Sequence, residues 1–326
     1  MEQKSILKKI TGSREASLVI VLIVMLVVIS IFSPSFLSPT NLGQIFRNNT
    51  LTMLMALGML CVMLTAGIDI SITSTLAFAG MSIGLLQKYD VIHNTFLLFV
   101  IGALIGLCCG FLNGLIIAKG KIAPIICTMG YMYVWRVMAY VISNNNWASG
   151  QDVAGFSDFG KDGSPGPYII LVIAYVIFFV VMKWTKFGRS IYAVGSNAEA
   201  AAISGIKVDK VLVSVYTIMG LLAGLAGVLS VSIYASAQPN MQYGKEMDVI
   251  AACVIGGVSM SGGRGSVVGT FLGALIISII AKALPLVGID AIAQNLIKGV
   301  IIVFVVILNV ITQRTMDRQN LLRREM

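Results

Sequence analysis

Apolar residues run along this chain in blocks instead of at helical or strand spacing. Stretches of roughly 15 to 25 residues with few charges recur from end to end, a length that suits helices crossing a hydrocarbon core about 30 Å thick and does not suit the weak alternation of barrel strands. The blocks place spans near residues 17–33, 48–66, 70–86, 96–118, 122–142, 167–184, 211–236, 246–260, 266–284 and 292–312. The second and third are parted only by GIDIS (67–71), and the eighth is short, so these are the places where a discontinuous or re-entrant element is expected instead of a full crossing. The fold class is an all-α polytopic membrane protein of about ten transmembrane helices.

Charge placement sets an orientation. With the amino terminus inside, Lys4, Lys8, Lys9, Arg14, Lys119, Lys121, Lys183, Lys186, Arg189, Lys207, Lys210, Arg264, Arg314, Arg318, Arg323 and Arg324 all fall on the cytoplasmic side. Arg47, Lys88, Lys161 and Lys245 are left outside, together with the long polar loop 144–166. Both termini are then cytoplasmic, and the chain divides into a cytoplasmic segment 1–16, a single transmembrane domain 17–312 with a cytoplasmic loop at 185–210, and a cytoplasmic tail 313–326. The basic stretch before the first span is not followed by a small-residue cleavage site, which favours an uncleaved span over a signal peptide.

Composition agrees. Hydrophobic residues make up 57% of the 326 positions and charged ones 11%, outside the range of soluble domains. The net charge of +9 follows from the inward cations and anionic lipid, so no nucleic-acid partner is expected. Cys61, Cys108, Cys109, Cys127 and Cys253 all lie in apolar spans without metal spacing, and His93 is the single histidine. Neither a metal site nor a histidine-based catalytic set assembles from these, and neither a cofactor nor an enzymatic activity is expected. GFSDFGKD (155–162) approaches a phosphate-binding loop, but Asp162 stands where a hydroxyl is required. SGGRGS (261–266) has no strand before it and reads as a tight turn between two spans.

The stretch GRSIYAVGSNAEAAAISGIKVDK (188–210) interrupts the apolar blocks. Ser196-Asn197-Ala198-Glu199 fits a capping box with Ser196 as N-cap, the following alanines favour helix, and Gly205 is placed to stop it, giving a helix of about two turns. Within the spans, buried polar residues mark a pathway or helix contacts. Asp69 and Ser71 can cap the third span or offer its N–H groups to a solute. Asn113 and Asn295 can bond a solute hydroxyl or a neighbouring helix. Gln238 and Asn240 flank Pro239 at the end of the seventh span, as a gate or as a turn. Asp248 can cap the eighth span or pair with Lys245, and Arg136 needs a partner that the sequence does not name.

E199-A200-A201 followed after three residues by Gly205 reproduces the EAA-x-x-x-G core of the loop by which permeases of ABC importers dock on their ATPases. With LTAGIDIS (64–71), NGLIIAKGKIAPIICTMG (113–130), SAQPNMQYGKEMDVIAACVIGGVSMSGGRGSVVGT (236–270) and NLIKG (295–299), the chain resembles the ribose-type monosaccharide permeases of bacterial ABC importers, related to branched-chain amino-acid permeases, from about residue 35 to 312. The resemblance implies a multi-pass inner-membrane subunit that pairs with a second permease subunit, as a homodimer, receives sugar from an extracytoplasmic binding protein and is driven by cytoplasmic ATPase subunits. It implies a coupling role for Gly188, Arg189, Ser196, Asn197, Glu199, Ala200, Ala201 and Gly205. A substrate pathway is expected through Asp69, Ser71, Asn113, Thr128, Gln238, Asn240 and Asn295, with Arg136 and Asp248 structural or gating. Three features depart from the family stretches: Ile72-Thr73-Ser74 stands where Val-Gly-Ser is common, the proline that often completes the EAA pattern downstream is absent, and Trp135-Arg136 lies in YMYVWRVMAY (131–140), outside every matching stretch. Other readings are a permease of the same family for a nucleoside, a signalling sugar derivative or an amino acid, an ion-coupled secondary transporter using Asp69, and, last, an intramembrane enzyme. A faint echo of GFLNGLII (110–117) in GTFLGALII (269–277) suggests an inverted repeat of two five-helix halves.

Overall fold

The computed structural model describes residues 14–149, 155–286, 288–290, 293–297, 299–301, 303, 304 and 307. Residues 1–13 of the expected amino-terminal segment 1–16, the whole expected tail 313–326 and about half of the tenth expected span (292–312) lie outside the described residues. Seven helices among the described residues are long and apolar enough to cross a membrane. They are α1 (Arg14–Phe32), α2 (Pro39–Leu64), α4 (Thr95–Gly120), α5 (Pro124–Ile142), α7 (Gly166–Trp184), α10 (Val208–Tyr234) and α12 (Val267–Leu286). Between them lie α3 (Ile72–Lys88), α6 (Phe156–Gly160), α8 (Lys186–Ser196), α9 (Ala198–Ile203) and α11 (Lys245–Ile255). A two-residue ladder pairs Ala148 with Ala237 and Ser149 with Ser236.

Local sequence explains where these helices begin. Ser38 accepts from the Asn41 amide ahead of Pro39, and Asn94 accepts from the Leu97 amide, so α2 and α4 are capped by side chains. Pro124 opens α5, and Lys121 in the left-handed region closes α4 three residues earlier. Helix α2 is the central element: from Thr50 to Leu64 every residue is buried, as expected of a helix that is apolar all round.

Glycine sets how closely the helices approach. Between membrane helices the drive is contact and not water exclusion, so small residues permit backbones to meet. Gly106 and Gly110 of α4 face the backbone of Gly220 and Gly224 of α10, and Gly80 of α3 faces the carbonyl of Gly227. On the other side of the bundle, Gly269 and Gly273 of α12 rest on Gly256 and Ala252 at the end of α11. The glycines four apart in GFLNGLII and GTFLGALII are thus both at close helix crossings. Gly106→Leu is expected to lower stability by about 3 kcal/mol, because a side chain there meets backbone that cannot give way. Thermal unfolding of the detergent-solubilised chain measures this, with Gly130→Leu, which has open space around it, as the unaffected control.

The short helices are the informative ones. Helix α11 has 11 residues, about 16 Å, or half of a hydrocarbon core. It is preceded by residues 238–244, non-helical turns that lie along α3: Ala237 meets Gly84, Met241 meets Gly80, and Glu246 bonds to Thr73. Chain descending from 237 to 246 therefore follows α3 from its end to its start. The starts of α3 and α11 meet, each entered from a stretch of non-helical backbone.

Candidate functional site

Four of the residues singled out in the sequence converge where the GIDIS segment enters α3. Asp69 Oδ1 accepts from the Ser71 amide at 2.9 Å and from Ser71 Oγ at 2.6 Å, and Asn113 Nδ2 of α4 donates to Ser71 Oγ at 2.8 Å. Thr128 Oγ1 of α5 donates to the Ile68 carbonyl at 3.2 Å and accepts from the Ile70 amide at 3.4 Å. All four side chains are buried. Asp69 thus fastens the non-helical segment to the first turn of α3, and α4 and α5 hold it from either side. Unspent polar atoms remain beside these bonds: Asn113 Oδ1, Ser74 Oγ and the Tyr216 hydroxyl, which lies against Gly67, have no hydrogen-bond partner. Such atoms are what a hydroxyl-rich solute could use, since leaving them unpaired is costly.

A second buried cluster joins residues that the sequence flagged separately. Arg136 Nη1 of α5 donates to the carbonyls of Pro239 and Met241, each at 3.0 Å, and Nη2 donates to Thr73 Oγ1 at 3.3 Å. Thr73 Oγ1 in turn donates to Glu246 Oε2 at 2.6 Å. The Tyr243 ring, itself exposed, lies 5.5 Å from the guanidinium. Trp135 next to Arg136 stacks between Phe78 and Tyr131, with ring centroids 5.7 and 5.3 Å apart. The partner missing from the sequence reading of Arg136 is therefore the 238–241 turn together with Thr73. Thr73 is the residue that replaces the family's common glycine, and its hydroxyl bridges the starts of α3 and α11.

The remaining pathway candidates are dispersed. Gln238 is half-buried in the turn, with its carbonyl accepting from the Met241 amide at 3.1 Å, and Asn240 is exposed within the same turn. Asn295 is exposed in the described part of the last helix and takes part in none of the bonds of either cluster. Asp248 is buried and pairs with Lys245 at 3.2 Å, the partner expected of it. Sequence reasoning missed Thr73 as a partner, Glu246 and Tyr216. The signal for Glu246 was present, a second carboxylate in KEMD at the mouth of an apolar block, where an isolated charge is expensive.

The interrupting stretch folds as two helices instead of one. Helix α8 is amphipathic and buries Gly188, Ile191 and Val194, while Arg189 is exposed. Its last residue is Ser196, whose hydroxyl donates to the Tyr192 carbonyl at 2.8 Å. Ser196 is therefore not the N-cap of α9, a correction to the capping box: helical backbone at Ser196 leaves its hydroxyl turned back on α8. Asn197, in extended conformation, is the cap and accepts from the Ala200 amide at 2.9 Å. Gly205, at φ +84°, ends α9 as expected, with the Ile206 amide returning to the Ala201 carbonyl. Of α9 only Ala201 is buried, so Glu199, Ala200 and Ile203 stand outward, Ile203 being 90% exposed.

A junction ties these helices to the bundle. Gly195 abuts the Leu64 carbonyl at the end of α2, and that carbonyl accepts from the Gly263 amide at 2.9 Å. Gly262 and Gly263, at φ +82° and +70°, form the turn read from SGGRGS. Tyr192 of α8 donates to the Gly265 carbonyl at 2.9 Å, and burial raises its phenol above the usual range, so it stays a donor.

Comparison with known proteins places this architecture. Residues 41–306 match the family model of the branched-chain amino acid transport system / permease component. The chain is 41% identical over 292 residues to the ribose import permease protein RbsC of Bacillus subtilis (strain 168), covering 88% of this chain and 90% of the relative. It is 35% identical over 320 residues to the galactose/methyl galactoside import permease protein MglC of Escherichia coli (strain K12), covering 92% and 95%. To the L-arabinose ABC transporter permease protein AraH of Azospirillum brasilense it is 32% identical over 295 residues, covering 90% and 86%. No solved structure matches the chain. With the family model spanning most of its length and helices of membrane-crossing length throughout, the chain belongs to this family of multi-pass permeases, which are transport subunits and not enzymes.

Proposed function

We propose that this chain is the membrane permease of an ATP-binding-cassette importer that moves a monosaccharide inward by alternating access. The observation that carries the reading is the meeting of two broken helices at buried polar side chains, in a chain whose relatives are named for ribose, galactose and arabinose import. Transporter sites are commonly formed where discontinuous helices expose backbone groups and helix starts to the substrate. The solute path runs past Asp69, Ser71, Asn113 and Thr128, with Gln238 and Asn240 at its outer mouth and Asn295 on the last span. ATPase subunits dock at α9, a second copy of the permease completes the path, and a sugar-binding protein delivers the solute from outside.

The same reading assigns ten crossings, counting α3, α11 and the span at 292–312, with both termini cytoplasmic. It pairs α3 with α11 and α4 with α12 in two inverted halves. Glycines four apart on both α4 and α12, Gly110 with Gly114 and Gly269 with Gly273, each lie at a close helix contact, which supports pairing those two helices.

Uptake in proteoliposomes tests the proposal. Labelled ribose, galactose or arabinose should enter only when the chain, its ATPase, internal ATP and loaded binding protein are all present. Entry driven by an ion gradient through this chain alone would instead make it a secondary transporter. The coupling role of α9 has its own test. Asn197→Ala removes the cap, worth about 1 kcal/mol to a helix too short to stand alone, and is expected to reduce transport-coupled ATP hydrolysis several-fold with membrane insertion unchanged. Ser196→Ala should leave coupling nearly intact, since its hydroxyl only back-bonds within α8.

A further inference from the structure

A groove between α7 and α12 ends in two opposite charges that do not pair. Its apolar part is a cavity of about 460 Å³ whose walls include Phe46, Tyr175, Phe179, Val268 and Phe271, with no charged residue. Through Phe179, Val267 and Val268 it shares walls with a second cavity of about 510 Å³ that adds Glu15, Lys183, Tyr192 and Ser266. Lys183 Nζ stands 5.2 Å from the Phe179 ring and 5.0 Å from the Trp184 ring. Glu15 Oε1 accepts from Ser266 Oγ at 3.1 Å. Among the described residues no ion pair joins Glu15 or Lys183 to any side chain.

A bilayer fills any apolar groove with hydrocarbon, so the walls alone select nothing. Selection lies in the charges. A cation and a carboxylate that face one cavity without neutralising each other match a headgroup carrying both signs. A phosphate accepts from the Lys183 ammonium, and a primary ammonium donates to Glu15. A choline headgroup has no N–H to give Glu15, and a glycerol headgroup leaves that carboxylate facing a net anion. Trp184 and Tyr192 beside the cavity are residues typical of the membrane–water boundary. Tyr168, in the wall of the apolar cavity, and Lys183, in the wall of the charged one, are fifteen positions apart on α7, about 22 Å, more than the ~15 Å depth of one leaflet's hydrocarbon. A chain anchored at Lys183 is therefore accommodated along its whole length.

We propose that this groove is a binding site for a zwitterionic aminophospholipid such as phosphatidylethanolamine, its phosphate on Lys183, its ammonium on Glu15 and an acyl chain against Tyr175 and Phe271. The site lies in the leaflet on the α8–α9 side and is independent of the solute assigned above.

Native mass spectrometry of the full-length chain tests it, alone and assembled with its ATPase, after equilibration with phosphatidylethanolamine, phosphatidylcholine or phosphatidylglycerol of identical acyl chains. Phosphatidylethanolamine should be retained about tenfold over the other two, the yield of one charge-assisted hydrogen bond. Glu15→Gln should bring it down to the phosphatidylcholine level, and Lys183→Gln should weaken all three, with gel-filtration profile and melting temperature unchanged in both. Equal retention of the ethanolamine and choline lipids, preference for phosphatidylglycerol, or a preference that survives Glu15→Gln overturns the proposal. So does an assembled complex that retains no lipid, which would show that protein covers the groove.

Discussion

Arg136→Met is expected to destabilise the protein by about 3 kcal/mol and to abolish solute uptake, because it strips a buried network of its only cation. Three acceptors depend on that guanidinium: the carbonyls of Pro239 and Met241 and the hydroxyl of Thr73. Removing it leaves the carbonyls without this donor and the buried Glu246 carboxyl without the guanidinium on the far side of Thr73. Lysine is not a substitute, since one ammonium lacks the planar fork that reaches a turn and a neighbouring helix together. Arg136→Lys should therefore recover little of the stability. Arg136→Met combined with Glu246→Gln should be less harmful than the sum of the two, by 1 kcal/mol or more on the usual scale of buried coupled pairs. Thermal unfolding of the solubilised variants gives the coupling energy; strict additivity would mean that Arg136 and Glu246 do not act through Thr73.

The block pattern was enough to place the long helices, because a span is dictated by the length of apolar chain and little else. Where helices break was harder. GIDIS and the short eighth block were visible as irregularities, yet that the starts of α3 and α11 would meet through Thr73 and Glu246 depends on packing between segments 173 positions apart. No local pattern encodes that. Asp69, Ser71, Asn113 and Thr128 were legible as polar residues in apolar blocks, alongside Gln238, Asn240 and Asn295, but which of the seven meet is settled by packing between α3, α4 and α5. Asn295 is exposed and stands apart from that cluster. The capping box failed by one residue, and for a local reason. The motif S-N-A-E supplies two competent caps side by side, and helix α8, which spacing alone did not reveal, takes Ser196 as its last residue and leaves Asn197 to begin α9.

That one-residue joint bears on how a movement at α9 would reach the bundle. Helices α8 and α9 share Asn197 as C-cap and N-cap, so a push on α9 is delivered to α8 with little slack. Helix α8 then meets the bundle at Gly195, where the Leu64 carbonyl closes α2 and the Gly263 amide closes the turn before α12. A side chain at 195 has no room, because its Cβ would fall on the Leu64 carbonyl and its neighbours are backbone. Gly195→Val is accordingly expected to separate α8 from α2, to break the bond between Leu64 and Gly263, and to cost about 3 kcal/mol. The functional loss should exceed that of the Asn197 variant. Transport-coupled ATP hydrolysis in proteoliposomes is expected to fall at least tenfold, while pull-down of the ATPase through the intact α9 surface persists. Gly205→Ala, strained by its positive φ but open on all sides, should weaken α9 without disturbing the joint and give a partial defect. Equal defects in the two variants would place the coupling in α9 alone and leave the glycine joint a matter of packing.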